Sequence, residues 1–149
     1  MEIELGVYPY FPLAGDRNDF LEIEVWYPGD AQLRLSFVSP NGMAAGPSVP
    51  DGERTWSTSD GTVYVDHRRD PINGDYLALI EFYDQAEDRP PAAGLWTLRV
   101  QNPTGEVVPF DLYIAFDALG LIGANAYLES GAEDAVLVES PVSSDSVMA

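Results

Sequence analysis

Phe20-Leu21-Glu22-Ile23-Glu24-Val25-Trp26 is the stretch on which the architecture turns. Successive side chains of a β-strand point to opposite faces, so Leu21, Ile23 and Val25 share one side and Glu22 and Glu24 the other. Such a segment hides its apolar side only against a second layer. The pattern returns at Leu33, Leu35 and Phe37, with Gln32, Arg34 and Ser36 facing out. Pro28-Gly29-Asp30 between the two reads as a turn, which makes these strands expected neighbours.

Moving outward, Ser39-Pro40-Asn41-Gly42 is a hairpin turn, because Asn-Gly tolerates positive φ. Residues 43–59, rich in Ala, Gly, Pro, Ser and Thr, read as a short edge strand and a loop. Residues 62–65 make a brief strand. Residues 76–83 carry apolar side chains on both faces, as a central strand does. After the break at 90–94, Trp96, Leu98 and Val100 alternate inward, and Asn102-Pro103-Thr104-Gly105 turns the chain. Phe110, Leu112, Ile114 and Phe116 then share a face. With residues 3–8 the count is about eight strands. No helical period precedes residue 117. The fold class is all-β: an antiparallel two-sheet sandwich, either a jelly roll or a related Greek key.

Beyond Phe116 the patterning weakens. Residues 1–116 are therefore expected to form the sandwich and 117–149 a tail that packs against, or leads into, something else, with a helix start capped by Ser143 or Ser144. A chain of 149 residues is the usual length of one domain and long enough to bury a core unaided.

Charge narrows the partners. The chain has 25 Asp and Glu against 7 basic residues, all Arg, for a net charge of −18. That balance opposes nucleic acid and anionic membrane surfaces, which draw in positive proteins. It permits a cation, a basic partner, plain solubility or a high-salt habitat. With no Cys, disulfides, thiolate catalysis and Cys-based zinc sites drop out, and a single His makes zinc improbable chemistry. Glu2 and Glu4 after Met1 do not make a signal peptide, and no apolar run has the ~20 residues needed to span a bilayer.

The richest polar loop runs from Asp66 to Asp75. Asp66, Asp70, Asn73 and Asp75 offer hard oxygens of the kind calcium takes, although the spacing is not that of an EF-hand and Arg68 and Arg69 offset the charge. Weaker candidates are Asp16 with Asn18 and Asp19, and Asp84 with Glu87 and Asp88. Otherwise each is a solvated turn. His67, beside Asp66 and not far from Ser57 and Ser59, invites a triad reading. No G-x-S-x-G element supports it, and a solvent-exposed loop histidine is the expectation. Glu22 and Glu24 share a face at a spacing a glycosidase pair could use, but they equally form the wet side of a strand. Trp26 faces away from the core residues, Trp56 lies in the loop, and Tyr8, Tyr10 and Phe11 cluster near the first turn. These five make a candidate contact surface for a sugar or a protein. Trp96 is core.

Two of these segments carry a resemblance. Gln32-Leu33-Arg34-Leu35-Ser36-Phe37-Val38-Ser39-Pro40-Asn41-Gly42 and Gly94-Leu95-Trp96-Thr97-Leu98-Arg99-Val100-Gln101-Asn102 are similar to signatures of P-domain-like and jelly-roll sandwiches that accompany bacterial subtilisin-like serine proteases. Residues 136–149 resemble the subtilase stretch that returns from such an insert to the catalytic core, and the chain would stop just before that final strand finishes. The resemblance implies a secreted parent protease, a flanking catalytic domain as partner, and no catalytic residue within this chain, because the segments with the catalytic Asp, His and Ser are not among its motifs. It also gives Gly94 the role of letting Trp96 pack close to the sheet. The alternatives are a free-standing carbohydrate- or protein-binding module, and a small hydrolase built on Glu22 and Glu24.

Overall fold

A computed structural model describes residues 1–85, 89–121 and 125–129. Among them are ten strands and no helix. They are β1 (Glu2–Val7), β2 (Phe20–Tyr27), β3 (Arg34–Val38), β4 (Ala44–Ser48), β5 (Gly52–Thr58), β6 (Gly61–Arg69), β7 (Tyr76–Tyr83), β8 (Gly94–Gln101), β9 (Asp111–Ala118) and β10 (Ala126–Glu129). Two five-stranded antiparallel sheets result, in the orders β10-β1-β8-β3-β4 and β5-β6-β7-β2-β9. This is the two-layer sandwich that the alternation requires. Pairing β1 with β8 and β2 with β7 wraps the chain as a jelly roll does, while β3–β4 and β5–β6–β7 are plain hairpins.

The inward residues of both sheets make one core. Ile3, Leu5, Phe37, Trp96 and Leu98 of the first sheet meet Leu21, Ile23, Val63, Val65, Ile80 and Phe82 of the second. Phe82 stands edge-on to Phe37 at 5.6 Å and to Trp96 at 4.9 Å, an arrangement that aromatic quadrupoles favour. Trp96 satisfies its indole N–H on the Ala92 carbonyl at 2.9 Å. β7 is the middle strand of its sheet, as its two apolar faces imply.

Four expectations change. β2 and β3 lie in opposite sheets, because residues 28–33 span the ~10 Å between layers and bury Leu33 on the way. Most of the expected loop at 43–59 is β4 and β5, whose small and polar residues suit edge strands. A bulge opposite Glu22 and Ile23 pairs Glu22 with Phe116 but Ile23 with Ile114, so one extra residue flips Phe116 to the outer face, where it is 55% exposed. Residues beyond 116 also join the sheets: β9 runs to Ala118, and β10 pairs with β1. The rest of the tail, including Ser143 and Ser144, lies outside the described residues.

Candidate functional site

The histidine settles the first question. β6 continues to Arg69, so His67 is in phase with Val63 and Val65 and points into the sandwich, where it is fully buried. It is not the exposed loop residue expected. The polar run Asp66-His67-Arg68-Arg69 disguised a strand end. Its Nε2 meets the Tyr27 hydroxyl at 2.5 Å and its Nδ1 the Ser48 hydroxyl at 3.2 Å. Burial pushes its pKa down to about 4, against a smaller opposing pull from Asp51, so the imidazole is neutral near pH 7. Burial likewise raises the Tyr27 hydroxyl.

Ser57 and Ser59 are elsewhere: Ser57 is exposed and donates to Gln85 at 2.5 Å, and Ser59 is exposed. Asp66 is on the opposite face of β6, ion-paired with Arg68 at 3.0 Å. The serine hydroxyl that does reach His67, that of Ser48, is fully buried, as is the imidazole, so the pair is closed to solvent in this structure.

The loop read for calcium is engaged with itself. Asp70 Oδ1 accepts the Ile72 and Asn73 backbone N–H groups at 2.7 and 3.3 Å, and Asn73 Oδ1 accepts the Asp75 N–H at 2.9 Å. Asp66 stands back in the strand with Arg68. Among the described residues no three His, Cys, Asp or Glu side chains converge as a ready metal cage.

The weaker candidates fare differently, because the fold merges them. Asn18 and Asp19, ahead of β2, meet Asp84, which follows β7, as the antiparallel pairing of those strands dictates. Asp84 Oδ1 accepts the backbone N–H of both Asn18 and Asp19 at 2.9 Å. Asp16 stays exposed, and Glu87 and Asp88 lie outside the described residues.

The outer face of the second sheet is its most distinctive surface. The register aligns Thr55, Tyr64, Glu81, Glu22 and Phe116 in one row, and Glu53, Asp66, Leu79, Glu24 and Tyr113 in the next. Trp26 closes the patch and donates its indole N–H to Glu24 at 2.8 Å. Glu22 faces Glu81 directly across the strands; burial first, then Glu81 and Glu24, raises its pKa. Burial and a hydrogen bond to Glu53 push Tyr64 up to about 12. Like charges held opposite one another destabilise a sheet, so this row presents negative charge among aromatics. Glu22 and Glu24 thus belong to a broad acidic face.

The other aromatics separate. Trp56 is in a strand, not a loop, and pairs with Val63 on the inward side, where it packs on the core. Tyr10 also packs on the core and donates its hydroxyl to the Pro91 carbonyl at 2.6 Å. Tyr8 rests against Tyr127 with centroids 4.6 Å apart, and Phe11 is 92% exposed.

The two sequence signatures, 50 or so residues apart, touch in space. Gly94 has φ +124°, and a Cβ there would strike the Pro40 ring at 2.9 Å. Its absence makes room for the β3–β4 turn, not for Trp96. Asp60 pins that turn: it accepts the Ser39 hydroxyl, the Asn41 N–H at 3.2 Å and the Asn41 amide at 2.8 Å. Burial pushes its carboxyl up, but these three bonds outweigh it and leave the pKa below 3.8.

No family model and no curated protein matches the chain. Among solved structures, it is similar to the CspB protease of Clostridium perfringens, with a TM-score of 0.58 and 13% identity over 75% of this chain. The match spans 22% of the protease chain, so the shared part is a fold and a fraction of that protein.

Proposed function

We propose that this chain is a non-catalytic sandwich domain of a secreted subtilisin-like serine endopeptidase, which docks on the catalytic domain and contributes stability, substrate placement or control of processing. The observation that carries this reading is the fold likeness to a part of a protease chain, taken with the contact between the Pro40 turn and Gly94 that joins the two signatures. The sealed Ser48–His67 pair is consistent with chemistry residing elsewhere. The acidic, aromatic outer face offers the docking surface: aromatics are enriched in interface cores, and charge complementarity sets orientation and on-rate.

Producing the chain and its flanking segments as separate polypeptides tests this. The expected result is no peptide hydrolysis by the chain alone, co-elution with the flanking segments, and hydrolysis by the pair. Hydrolysis by the isolated chain would contradict it, as would flanking sequence without the catalytic Asp, His and Ser segments of a subtilase.

A further inference from the structure

Asp19 and Asp84 are both buried, at 0% and 1% exposure, at one end of the sandwich. Two buried carboxylates side by side are costly unless each is paired or hydrogen-bonded. Asp19 is satisfied: Oδ2 accepts the Leu13 N–H at 2.9 Å and Oδ1 the Gly120 N–H at 2.7 Å. Asp84 is half satisfied. Its Oδ1 takes two backbone N–H groups, while Oδ2 has no hydrogen-bond partner.

A second orphan adjoins it. Asn18 donates its backbone N–H to the Asp84 carboxylate and its side-chain amide Nδ2 to the Ala14 carbonyl, which fixes the amide's orientation. The Asn18 Oδ1 is then occluded and unpartnered. These two acceptor-only oxygens sit on residues joined by a backbone hydrogen bond, and a cation is one partner that would satisfy both. The surroundings agree in sign: Asp19, Asp84 and Asp117 all act on the nearby Tyr10 hydroxyl, after burial itself, to raise it. The Arg17 guanidinium is turned over the Tyr83 ring, 4.5 Å from its centroid.

We infer that Asp84 Oδ2 and Asn18 Oδ1, where the start of β2 meets the end of β7, bind a calcium-like divalent cation. Calcium accepts six to eight oxygens in irregular geometry, including amide and backbone carbonyl oxygens and water, so Asp84 and Asn18 would supply two of them and backbone carbonyls and water the rest. Magnesium, which demands near-ideal octahedral geometry, is the poorer fit. Asp19 acts beside the site as a positioning residue, tying it to Leu13 and Gly120. The site is independent of the 66–75 loop and of any docking role.

Calorimetric titration of the metal-free 149-residue chain with CaCl₂ and, separately, MgCl₂ tests the assignment, together with melting temperatures. One calcium per chain should bind and raise Tm by several degrees through linkage, with magnesium at least tenfold weaker. The Asp84→Asn variant keeps an oxygen for the two backbone N–H groups and removes the charge. It should bind calcium at least tenfold more weakly, yet melt in the metal-free state at or above the parent chain. Asp70→Asn should change neither result. Calcium binding that survives Asp84→Asn would show attraction to the acidic surface alone and overturn the site. Absence of binding by the parent chain would overturn it too.

Discussion

His67 occupies a place in β6 where an aliphatic side chain would serve packing as well, edge-on to Tyr27 at 5.6 Å and to Tyr76 at 5.9 Å. Its neutral ring contributes through hydrogen bonds to Tyr27 and Ser48, and that state is fragile toward acid. The folded pKa of about 4 lies below the ordinary 6.5, so the unfolded chain binds the proton more readily between those values. The stability is fully present above pH 6.5 and is lost as pH falls toward 4. At ~1.4 kcal/mol per pKa unit the loss is a few kcal/mol at most. A His67→Gln variant should lack this decline, so thermal melts of both proteins from pH 7 to 4 should converge on the acid side. Parallel curves would mean that the imidazole does not titrate in this window. None of this was legible in the sequence, where neighbouring charges made His67 look solvated. The missed signal was phase: Val63, Val65 and His67 are two residues apart.

Strands were far easier to read than their partners. Alternation located β1, β2, β3, β7 and β8 because each has one face in the core, and it placed Trp96 inside. It failed where apolar contrast vanished, as in β4 and β5, and where one extra residue changed the phase, as in β9. It also carries no information about which sheet a strand joins, hence the misplaced β2–β3 neighbourhood. The β9 bulge makes a sharp prediction, since periodicity alone would treat Leu112 and Phe116 alike. Leu112→Ala should cost ~2–5 kcal/mol as a core truncation, whereas Phe116→Ala should stay within ~0.5 kcal/mol as a surface change. Denaturant titrations of the two variants decide it, and equal losses would place both side chains in the core. The crossing from β2 to β3 depends on Gly29, where a Cβ would lie 1.9 Å from the Gly74 carbonyl oxygen. Gly29→Ala should therefore lower Tm markedly while Gly42→Ala, with open space around it but φ of +82°, should cost only the backbone strain.

At the scale of the whole molecule, 25 acidic side chains against 7 arginines leave a net charge of −18 that works against compactness. Glu22 opposite Glu81 and Glu4 opposite Glu129 are local instances, and the latter pair's mutual hydrogen bonding raises Glu4. Sodium chloride should therefore raise Tm, most steeply below ~0.2 M as the screening length contracts to ~8 Å; a flat or falling response would mean that the repulsion is already compensated. The same surplus explains why the candidate sites were hard to rank from sequence. With acids nearly everywhere, clusters form by chance, and only folding revealed that the Asp70 loop binds its own backbone while Asn18 and Asp84 each keep one buried, unpartnered oxygen. The proposal that this chain serves a serine endopeptidase is tested most directly by asking where a reactive serine lies. Fluorophosphonate labelling of the natural full-length protein, followed by peptide mapping, answers it. The labelled serine should map outside residues 1–149; a label on Ser48 or any other serine of this chain, or no labelled serine anywhere, would contradict the account.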